Sequence, residues 1–343
     1  MTVLSDSFLK SDRILVEAKL RPVQGERFQP TGFADLGAAD YLRPNGTRML
    51  LVESAQSMAN RLERVCIADD GVSLTEELKG LPYVRVTLTG DSSTSTSSLA
   101  EAHRLNSPFI LKAGSGAFEE RFTELTQYSE GQAVDWGKVA RGVLALDPSS
   151  LVHGLFMSNF ADGRVRLPRA VTGFIEARNV REAASGGVKN SPIDPAGTLQ
   201  VEGYEKKVYS NVPYARTEYV AEEIKAFFSV DVALLRGYRL GPAATTLLVG
   251  LALWKVRRFL DGAMRLRTAC DFRLDGADAI KVTMPVGASL PTSAELLAVV
   301  QGAIEVCRKE KLFAEPAVTE LTAPTKRKKK GERDDDAADE QLG

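Results

Sequence analysis

The sequence contains few of the residues from which catalytic and metal centres are built. It has two histidines and three cysteines in 343 residues, and their spacing matches no zinc-binding pattern. Cys66, Cys270 and Cys307 are odd in number and far apart, and each lies in an apolar-periodic stretch, which predicts buried reduced thiols. His103 lies on a predicted helix and His153 in an apolar segment, where a structural histidine is favoured over a general base. We expect no metal, no cofactor and no catalytic residue.

Motifs for nucleotide binding and for membrane insertion are also absent. Gly114-Ser-Gly116, which follows Lys112, does not have the spacing of a P-loop, and no glycine-rich dinucleotide fingerprint opens a helix. The most apolar run, Thr246–Trp254, has about half of the roughly 20 residues that a membrane span needs. No secretory signal stands at the N-terminus. These absences predict a soluble cytoplasmic protein that contacts no membrane.

The chain has almost no net charge, at −1, but its positive charge is concentrated in patches. Residues 164–181 hold five arginines against one acid, and residues 216–273 hold ten basic residues against six acidic ones. Guanidinium groups pair bidentately with phosphate, so these patches are candidate phosphate-binding surfaces, with solvated surface as the alternative. The aromatic pattern of base-stacking RRM domains is missing, so we expect contacts to a nucleic-acid backbone more than to bases. The arginine clusters are Arg164, Arg166, Arg169, Arg178 and Arg181; Arg216, Arg236 and Arg239; and Arg265, Arg267 and Arg273.

A strand, a long polar loop and a helix near the N-terminus form the most informative stretch. Apolar and charged residues alternate over Ile14–Leu20 with the period of a half-buried strand. The segment Arg21–Phe33 is too polar and too rich in proline and glycine to be a regular element, and loops of this length are usually functional or disordered. The helix, which we expect to begin at Val52, has an apolar side and a polar side.

The rest of the chain predicts further helices and strands. We expect strands at Tyr83–Thr89, Leu151–Phe156, Ala170–Val180, Val230–Arg236, Arg265–Arg273 and Ile280–Met284, and helices at Leu99–Leu105, Phe118–Tyr128, Trp136–Ala145, Thr217–Phe228, from Pro242 to just before Gly262, and from the Thr292–Glu295 capping box to Phe313. The series is typical of the α+β class, as a modified RRM-like or ferredoxin-like palm with large insertions. We expect one elaborated domain over residues 1–321, with inserted segments near 91–150 and 184–213, and a disordered charged tail over 322–343.

Two segments have more than one interpretation. Residues 91–98 are rich in serine and threonine. They are either a flexible surface loop whose last serine caps a helix, or a hydroxyl-rich loop that contacts phosphates. Residues 184–213 accumulate glycine, serine, proline and asparagine, which predicts an irregular insertion suited to a protruding hairpin or a partner contact.

Six segments resemble the RAMP-superfamily, Cas7-like backbone subunit of the type I-U (I-G) CRISPR Cascade surveillance complex. They are distributed over residues 12–275, so that only the charged tail lies clearly outside the resemblance. The segments are Val23–Gly37, Leu51–Glu63, Glu101–Pro108, Ser150–Gly154, Asn211–Arg216 and Leu266–Asp271.

The resemblance implies a non-catalytic protein that binds guide RNA (crRNA). Its palm would be RRM-like, with inserted fingers and a thumb-like hairpin, and copies would stack head-to-tail as a helical filament along one guide. Segments between displaced bases would be presented to target DNA in an R-loop, so base pairing would supply the specificity. The partners would be other copies of the chain, Cas5/Cas6-type and large subunits, and transiently the Cas3 helicase-nuclease, in antiviral defence.

The resemblance also implies RNA contacts on the polar side of the first helix and in the loop before it. Either residues 184–213 or residues 91–98 would form the thumb. The predicted RNA-binding residues, including those from the arginine clusters, are Arg21, Gln24, Arg27, Gln29, Ser54, Gln56, Ser57, Asn60, Arg61, Arg166, Arg169, Arg178, Arg216, Arg236, Arg265 and Arg267.

Two alternative functions remain open from the sequence. A metal-independent RAMP endoribonuclease would process guide precursors with His153 or His103 as general base. A protein-only scaffold would bind no RNA.

Overall fold

The computed structural model describes residues 4–33, 37–90, 93–203 and 211–326. The strands are β1 (Arg13–Pro22), β2 (Gly32–Phe33), β3 (Gly37–Ala38), β4 (Asp40–Leu42), β5 (Arg48–Glu53), β6 (Tyr83–Gly90), β7 (Thr94–Ser97), β8 (Leu155–Phe156), β9 (Arg166–Leu167), β10 (Val171–Arg178), β11 (Arg181–Asn190), β12 (Asn211–Val220), β13 (Glu223–Asp231), β14 (Met264–Arg267), β15 (Cys270–Leu274), β16 (Ile280–Met284) and β17 (Val318–Thr325). The helices are α1 (Asp6–Lys10), α2 (Ala55–Arg64), α3 (Pro108–Leu111), α4 (Ala117–Thr126), α5 (Trp136–Leu146), α6 (Pro148–His153), α7 (Val232–Gly237), α8 (Pro242–Asp261) and α9 (Ser293–Lys309).

The largest sheet is antiparallel and is organised around β1. Its strand order is β14–β15–β1–β13–β10–β5–β4, and β16 pairs with β1 as well. Ile14, Val16, Ala18 and Leu20 are buried, as the alternation in the sequence predicted. The fold is therefore a mixed α+β arrangement with one large antiparallel sheet, which confirms the predicted class.

Two helices cover the buried face of this sheet. α2 contacts β10 and α8, and α8 contacts β13 and α9. Met58, Ala59 and Leu62 form the buried side of α2, while α8 contributes Trp254 and other fully buried residues to the same core. Because the buried side of α2 packs on β10, its opposite side faces solvent.

The close approach of α2 to the sheet depends on Gly173 in β10. A Cβ atom at this position would lie 2.5 Å from Cδ1 of Phe228 and 3.1 Å from Cγ of Met58. Gly173→Ala is therefore expected to destabilise the protein by about 1–3 kcal/mol, as overpacked cores usually do. Urea unfolding measures this change. Gly302→Ala, in α9 with no atom within 4 Å of the new Cβ, is the matched control, and an equal effect of both substitutions would contradict the prediction.

The segment between α2 and β10 is mostly helical and differs from several expectations. The strand predicted at Leu151–Phe156 is confirmed only at its end, as β8, because α6 occupies 148–153 and is capped by Asp147. The predicted helix at Leu99–Leu105 is wrong, since only a 3-10 turn forms, at 104–106. Within the hydroxyl-rich segment, β7 pairs with β6, whereas residues 91 and 92 lie outside the described residues. Helices α4 and α5 confirm the predictions near 118–128 and 136–145.

The chain forms strands where a helix was predicted after residue 216. The predicted helix Thr217–Phe228 spans the end of β12 and most of β13, and the predicted strand Val230–Arg236 is largely α7. Ile224 and Phe228 lie four residues apart and fit both periods, but Ala226 and Val230 are buried with them. The period is therefore two, and β13 lies in the middle of the sheet, which overrides the local helical pattern.

Strands β11 and β12 form a hairpin that extends the β10–β13 connection. Their register runs from Arg181↔Val220 to Asn190↔Asn211, which confirms the hairpin interpretation of the 184–213 insertion. Residues 204–210 lie outside the described residues. Val188, Val212 and Tyr214 are each more than half exposed.

The C-terminal part contains two further differences from expectation. The single strand predicted at Arg265–Arg273 is the hairpin β14–β15, which turns at Ala269 with φ of +55°. Strand β17 pairs in parallel with β6 and ends at Thr325, so regular structure continues past the predicted boundary at residue 321. Residues 327–343 of the predicted tail lie outside the described residues. The predicted capping box at Thr292–Glu295 is confirmed.

Candidate nucleic-acid interface

Helix α2 presents a polar side at the surface. The Ser54 side chain caps the helix by accepting a hydrogen bond from the Ser57 amide at 3.2 Å. The helix therefore begins at Ala55, because Val52 and Glu53 complete β5, and the predicted start at Val52 is three residues early. Gln56, Asn60 and Arg64 are exposed. This side offers amide groups and a guanidinium at regular spacing.

A buried carboxylate, Glu53, holds two of the predicted RNA-binding arginines. Glu53 has no exposed surface, and its carboxylate is ion-paired with the guanidinium groups of Arg61 and Arg267. It also accepts a hydrogen bond from the Ser57 hydroxyl. A buried charge needs such partners, so the cluster of Glu53, Ser57, Arg61 and Arg267 is first of all a structural element, here named the Glu53 cluster.

The same arginines connect α2 to the β14–β15 hairpin. Arg61 donates to the Leu266 carbonyl at 2.6 Å. Arg267 donates to the carbonyls of Val52, at 2.9 Å, and Gln29, at 3.2 Å. Each of the two arginine side chains retains about a quarter of its exposure, at 24%. They are therefore fixed in position beside α2 and remain partly accessible to a ligand.

Arg169 borders the N-terminal end of α2. Its guanidinium donates to the Gln56 side-chain oxygen at 3.1 Å and to the Ala55 carbonyl at 3.4 Å. Burial, and then the nearby Arg104, lower the pKa of Arg169. Arg104 in turn donates to Glu63 at 2.6 Å. Arg169 at the start of α2 and Arg104 near its end therefore give this side of the helix a positive character that Glu63 offsets only in part.

The loop 21–33 is fastened to the base of the β11–β12 hairpin. Phe28 and Tyr219 exchange two backbone hydrogen bonds of 2.9 Å. The buried Glu218 carboxylate lies 3.7 Å from Arg27 and accepts from Nε of Arg216 at 2.9 Å. Arg27 and Arg216, both predicted RNA contacts, therefore share one acidic partner.

A groove of about 580 Å³ separates this loop from the β14–β15 hairpin. The Arg265 side chain at its edge is 72% exposed, and its closest acid is Asp271 at 3.8 Å. Arg61 of α2 donates a hydrogen bond to the backbone carbonyl of Arg265 at 3.4 Å. The groove therefore continues the polar side of α2. The predicted RNA-binding residues that line the groove are Gln24, Arg27 and Arg265.

Two predicted contacts lie in a neighbouring groove. Arg21 and Arg178 line a second space of about 580 Å³ at the end of β1 and β10, together with Arg273. The acids Glu223 and Asp275 line the same space, so its charge is mixed. The two grooves share the backbone of the loop from Pro22 to Glu26.

Gln29 and Arg236 have other surroundings. The backbone N–H of Gln29 donates to the Ala269 carbonyl at 2.8 Å. Arg236 lies near the opposite end of β1, where it donates to Asp12 and to the carbonyls of Leu9 and Ser11. It therefore holds α1 in place, and the described contacts do not bring it to α2.

Sequence reasoning missed two features of this surface. Glu53 carried no signal of its role, since a glutamate beside a predicted helix start is normally exposed. Phe156 was predicted to lie in a strand, but its exposure was not predicted. The residue is 47% exposed, and its ring centroid lies 4.7 Å from the guanidinium carbon of Arg166. Both depend on tertiary contacts, between Glu53 and Arg267 and between Phe156 and Arg166.

His153 lies in a buried polar cluster beneath this surface, and its backbone carbonyl accepts a hydrogen bond from Nε of Arg169 at 3.3 Å. It is 1% exposed, and its Nε2 atom lies 2.9 Å from Nζ of the buried Lys255, which also donates to Ser149 at 2.6 Å. Asp147 accepts from Ser150 beside them at 2.9 Å. The structural interpretation of His153 is therefore supported, because an RNA phosphodiester does not reach it. His103 is exposed, in a turn rather than on the predicted helix.

Burial of His153 predicts a pH-dependent stability. Burial, and then Lys255, lower the pKa of His153 well below its ordinary value of 6.5. The unfolded chain then binds a proton that the folded protein does not, so stability is full above pH 6.5 and falls as the pH drops below it. The loss is about 1.4 kcal/mol per pH unit.

The difference in unfolding free energy between wild type and His153→Asn, measured in urea from pH 7.5 to 5, isolates this contribution. The buried Asp147, whose pKa is raised by burial, remains in both proteins and cancels. His103→Asn is the control and keeps the wild-type dependence. A pH-independent difference for His153→Asn would contradict the linkage.

The three cysteines are buried, and the described residues contain no cluster of side chains that could hold a metal ion. Cys66, Cys270 and Cys307 are buried and free, as predicted, and burial raises the pKa of Cys270 to about 12. Over residues 4–33, 37–90, 93–203 and 211–326, no group of three or more His, Cys, Asp or Glu is placed to hold a metal ion. None of the helices in these ranges is both long and apolar enough to span a bilayer.

The N-terminal half of the chain matches a known family. Residues 14–182, from β1 to the start of β11, match the family described as CRISPR-associated protein GSU0053. The matched region covers just under half of the chain. The match includes α2, Arg169 and every member of the Glu53 cluster except Arg267, and it confirms the Cas7-type CRISPR resemblance of the sequence segments. No curated protein matches the chain by sequence.

Solved CRISPR structures are distantly similar to this chain. A subunit of a "CRISPR RNA-guided surveillance complex, pre-nicking" has a TM-score of 0.37 and 9% identity, over 87% of this chain and 89% of that one. Csc2 of Thermofilum pendens has a TM-score of 0.32 and 10% identity, over 91% and 80%. At TM-scores below 0.5 these likenesses carry no argument about function.

Proposed function

We propose that this chain is a non-catalytic guide-RNA-binding backbone subunit of a type I CRISPR surveillance complex. The observation that carries the proposal is the continuous polar surface from Arg169, along α2, to Arg265. It belongs largely to the region that matches a CRISPR-associated family. Guanidinium and amide donors at fixed positions suit the sugar-phosphate backbone of a single strand.

The strand order supports an RRM-like or ferredoxin-like palm. The four central strands follow the order β15–β1–β13–β10, all antiparallel. In chain order they alternate with α2 and α8 as β-α-β-β-α-β, once the insertions are set aside. The helical segment between α2 and β10 would then supply the fingers.

The β11–β12 hairpin is the better of the two thumb candidates. It connects β10 to β13 and carries exposed apolar side chains such as Tyr214, which is 56% exposed. The alternative, residues 91–98, contains β7, which is paired with β6 in a small sheet. A hairpin joined to the palm at both strands can project while its base stays fixed by Glu218.

The proposed partners are crRNA, further copies of the chain head-to-tail, Cas5/Cas6-type and large subunits, target DNA within an R-loop and, transiently, Cas3. In this arrangement the guide would supply sequence recognition by base pairing. The protein would supply position and charge.

Salt dependence of RNA binding tests the proposal. Binding of the purified chain to single-stranded RNA is expected to weaken steeply with salt, with a slope of log affinity against log salt of about −0.7 for each neutralised phosphate. Fluorescence anisotropy across a salt series measures the slope. A flat plot would reject phosphate binding, and absence of any RNA binding would favour a protein-only scaffold. Cleavage of repeat-containing RNA that is lost in His103→Ala would instead support an endoribonuclease.

A further inference from the structure

A two-residue ribbon, β8–β9, displays an aromatic ring and a guanidinium together at the surface. Phe156 pairs with Arg166, and Leu155 pairs with Leu167. Both leucines are 3% exposed, whereas Phe156 is 47% exposed. Since paired residues share a face, the leucines anchor the ribbon in the core and the Phe156–Arg166 pair is directed outward.

The ribbon is held rigidly by the core beneath it. Met157 donates to the Val165 carbonyl at 2.9 Å, and both residues are fully buried. Phe160, just beyond, packs edge-on against Phe122 with ring centroids 4.9 Å apart. The position of the Phe156 ring is therefore set by the fold, so that a ligand would meet a preformed surface.

Arg166 lies over the Phe156 ring. Its guanidinium carbon is 4.7 Å from the ring centroid. Arg164, nearby, is instead ion-paired with Asp162 at 2.7 Å. Across the described ranges of the chain, Arg166 forms no salt bridge. The N–H donors of a guanidinium lie around the edge of its own plane. A guanidinium that stacks on an aromatic ring therefore keeps these donors free to bind a ligand.

The pair adjoins the polar side of α2. The carbonyl of Gly154, two residues before Phe156, accepts from Arg104 at 3.1 Å, and two residues of strand span about 7 Å. Arg169, three residues after Arg166, donates to Gln56 on α2. Because three residues of extended chain span at most about 10 Å, a strand of RNA that follows α2 past Arg169 would come close to the Phe156–Arg166 pair.

We infer that Phe156 and Arg166 form a stacking site for one unpaired base of the bound single-stranded RNA. An aromatic ring beside a cationic track is the arrangement by which proteins bind single strands with little sequence preference, because every base has a π-face. The inference rests on the proposed RNA-binding function and adds a base contact that the missing RNP pattern did not predict.

Phe156→Ala tests the stacking site, with single-stranded RNA of mixed sequence as the probe. Its affinity is expected to fall about 5- to 100-fold, the range for loss of one stacked base, while the salt slope stays unchanged because phenylalanine carries no charge. Phe156→Trp retains the affinity, whereas Arg166→Ala lowers both the affinity and the slope, the latter by about 0.7. Trp136→Ala is the matched control, since Trp136 is 43% exposed at the start of α5.

A second probe separates base stacking from phosphate binding. An abasic oligonucleotide with the same number of phosphates is expected to bind wild type and Phe156→Ala equally. Equal RNA affinity of the two proteins would overturn the stacking site while leaving the proposed function intact, whereas failure of wild type to bind RNA would reject the proposed function itself. Weaker self-association of Phe156→Ala in sedimentation, with unchanged RNA affinity, would assign the pair to a protein contact and would also overturn it. Far-UV circular dichroism confirms that each variant is folded.

Discussion

Replacing Glu53 by alanine is expected to destabilise the protein by about 3–5 kcal/mol, the usual result of removing one partner from a buried ion pair. The carboxylate has no exposed surface and neutralises both Arg61 and Arg267, whose side chains are only 24% exposed. Without it, two guanidinium groups face each other in a poorly solvated space. Urea unfolding followed by circular dichroism measures the loss, with a lower midpoint and an unchanged m-value.

Glu305→Ala is the matched control for this prediction. Glu305 is about half exposed and pairs with Arg308 at 2.6 Å on α9. Exposed pairs of this kind contribute little, so the change is expected to stay within about 0.5 kcal/mol. If Glu53→Ala were as stable as Glu305→Ala, the Glu53 cluster would not be the support of α2.

The Glu53 cluster changes how variants of its arginines are interpreted. Arg61→Ala or Arg267→Ala would remove a possible RNA contact, but either would also leave Glu53 with one fewer partner and displace α2 or the β14–β15 hairpin. Weaker RNA binding by these variants would therefore not distinguish a lost contact from a displaced surface. An arginine without structural bonds is the better probe.

Arg265→Ala is expected to weaken RNA binding about tenfold at low salt and to reduce the salt slope by about 0.7. The side chain is 72% exposed at the edge of the groove and has only a long contact, 3.8 Å, to Asp271. Its removal should therefore cost one charge-assisted contact to phosphate and almost no stability. Anisotropy titrations at several salt concentrations measure both quantities.

Arg308→Ala provides the control for overall charge. Arg308 is 58% exposed on α9, a helix that packs on α8. Its removal changes the net charge by the same amount as Arg265→Ala, so an equal loss of affinity in both variants would indicate a non-specific charge effect. An unchanged affinity in Arg265→Ala would remove the groove from the proposed RNA path.

Much of the fold was predictable where a single period dominates. The alternation in β1, the proline and glycine at the ends of α8 and the capping box of α9 each lie within a few neighbouring residues and need no distant partner. The error at Thr217–Phe228 falls where two periods coexist. Ile224 and Phe228 fit a helix as well as a strand, and only the position of β13 between β1 and β10 makes the strand favourable.

The sequence by itself determined the elements with one clear period, the scarcity of catalytic groups and the residue segments that indicate a CRISPR-associated family. These follow from local composition and spacing. The tertiary structure decided which arginines are structural and which are accessible, because that depends on where a partner such as Glu53 is buried. It also decided that Phe156 and Arg166, ten residues apart, face solvent together beside α2, since strand pairing brings them into contact.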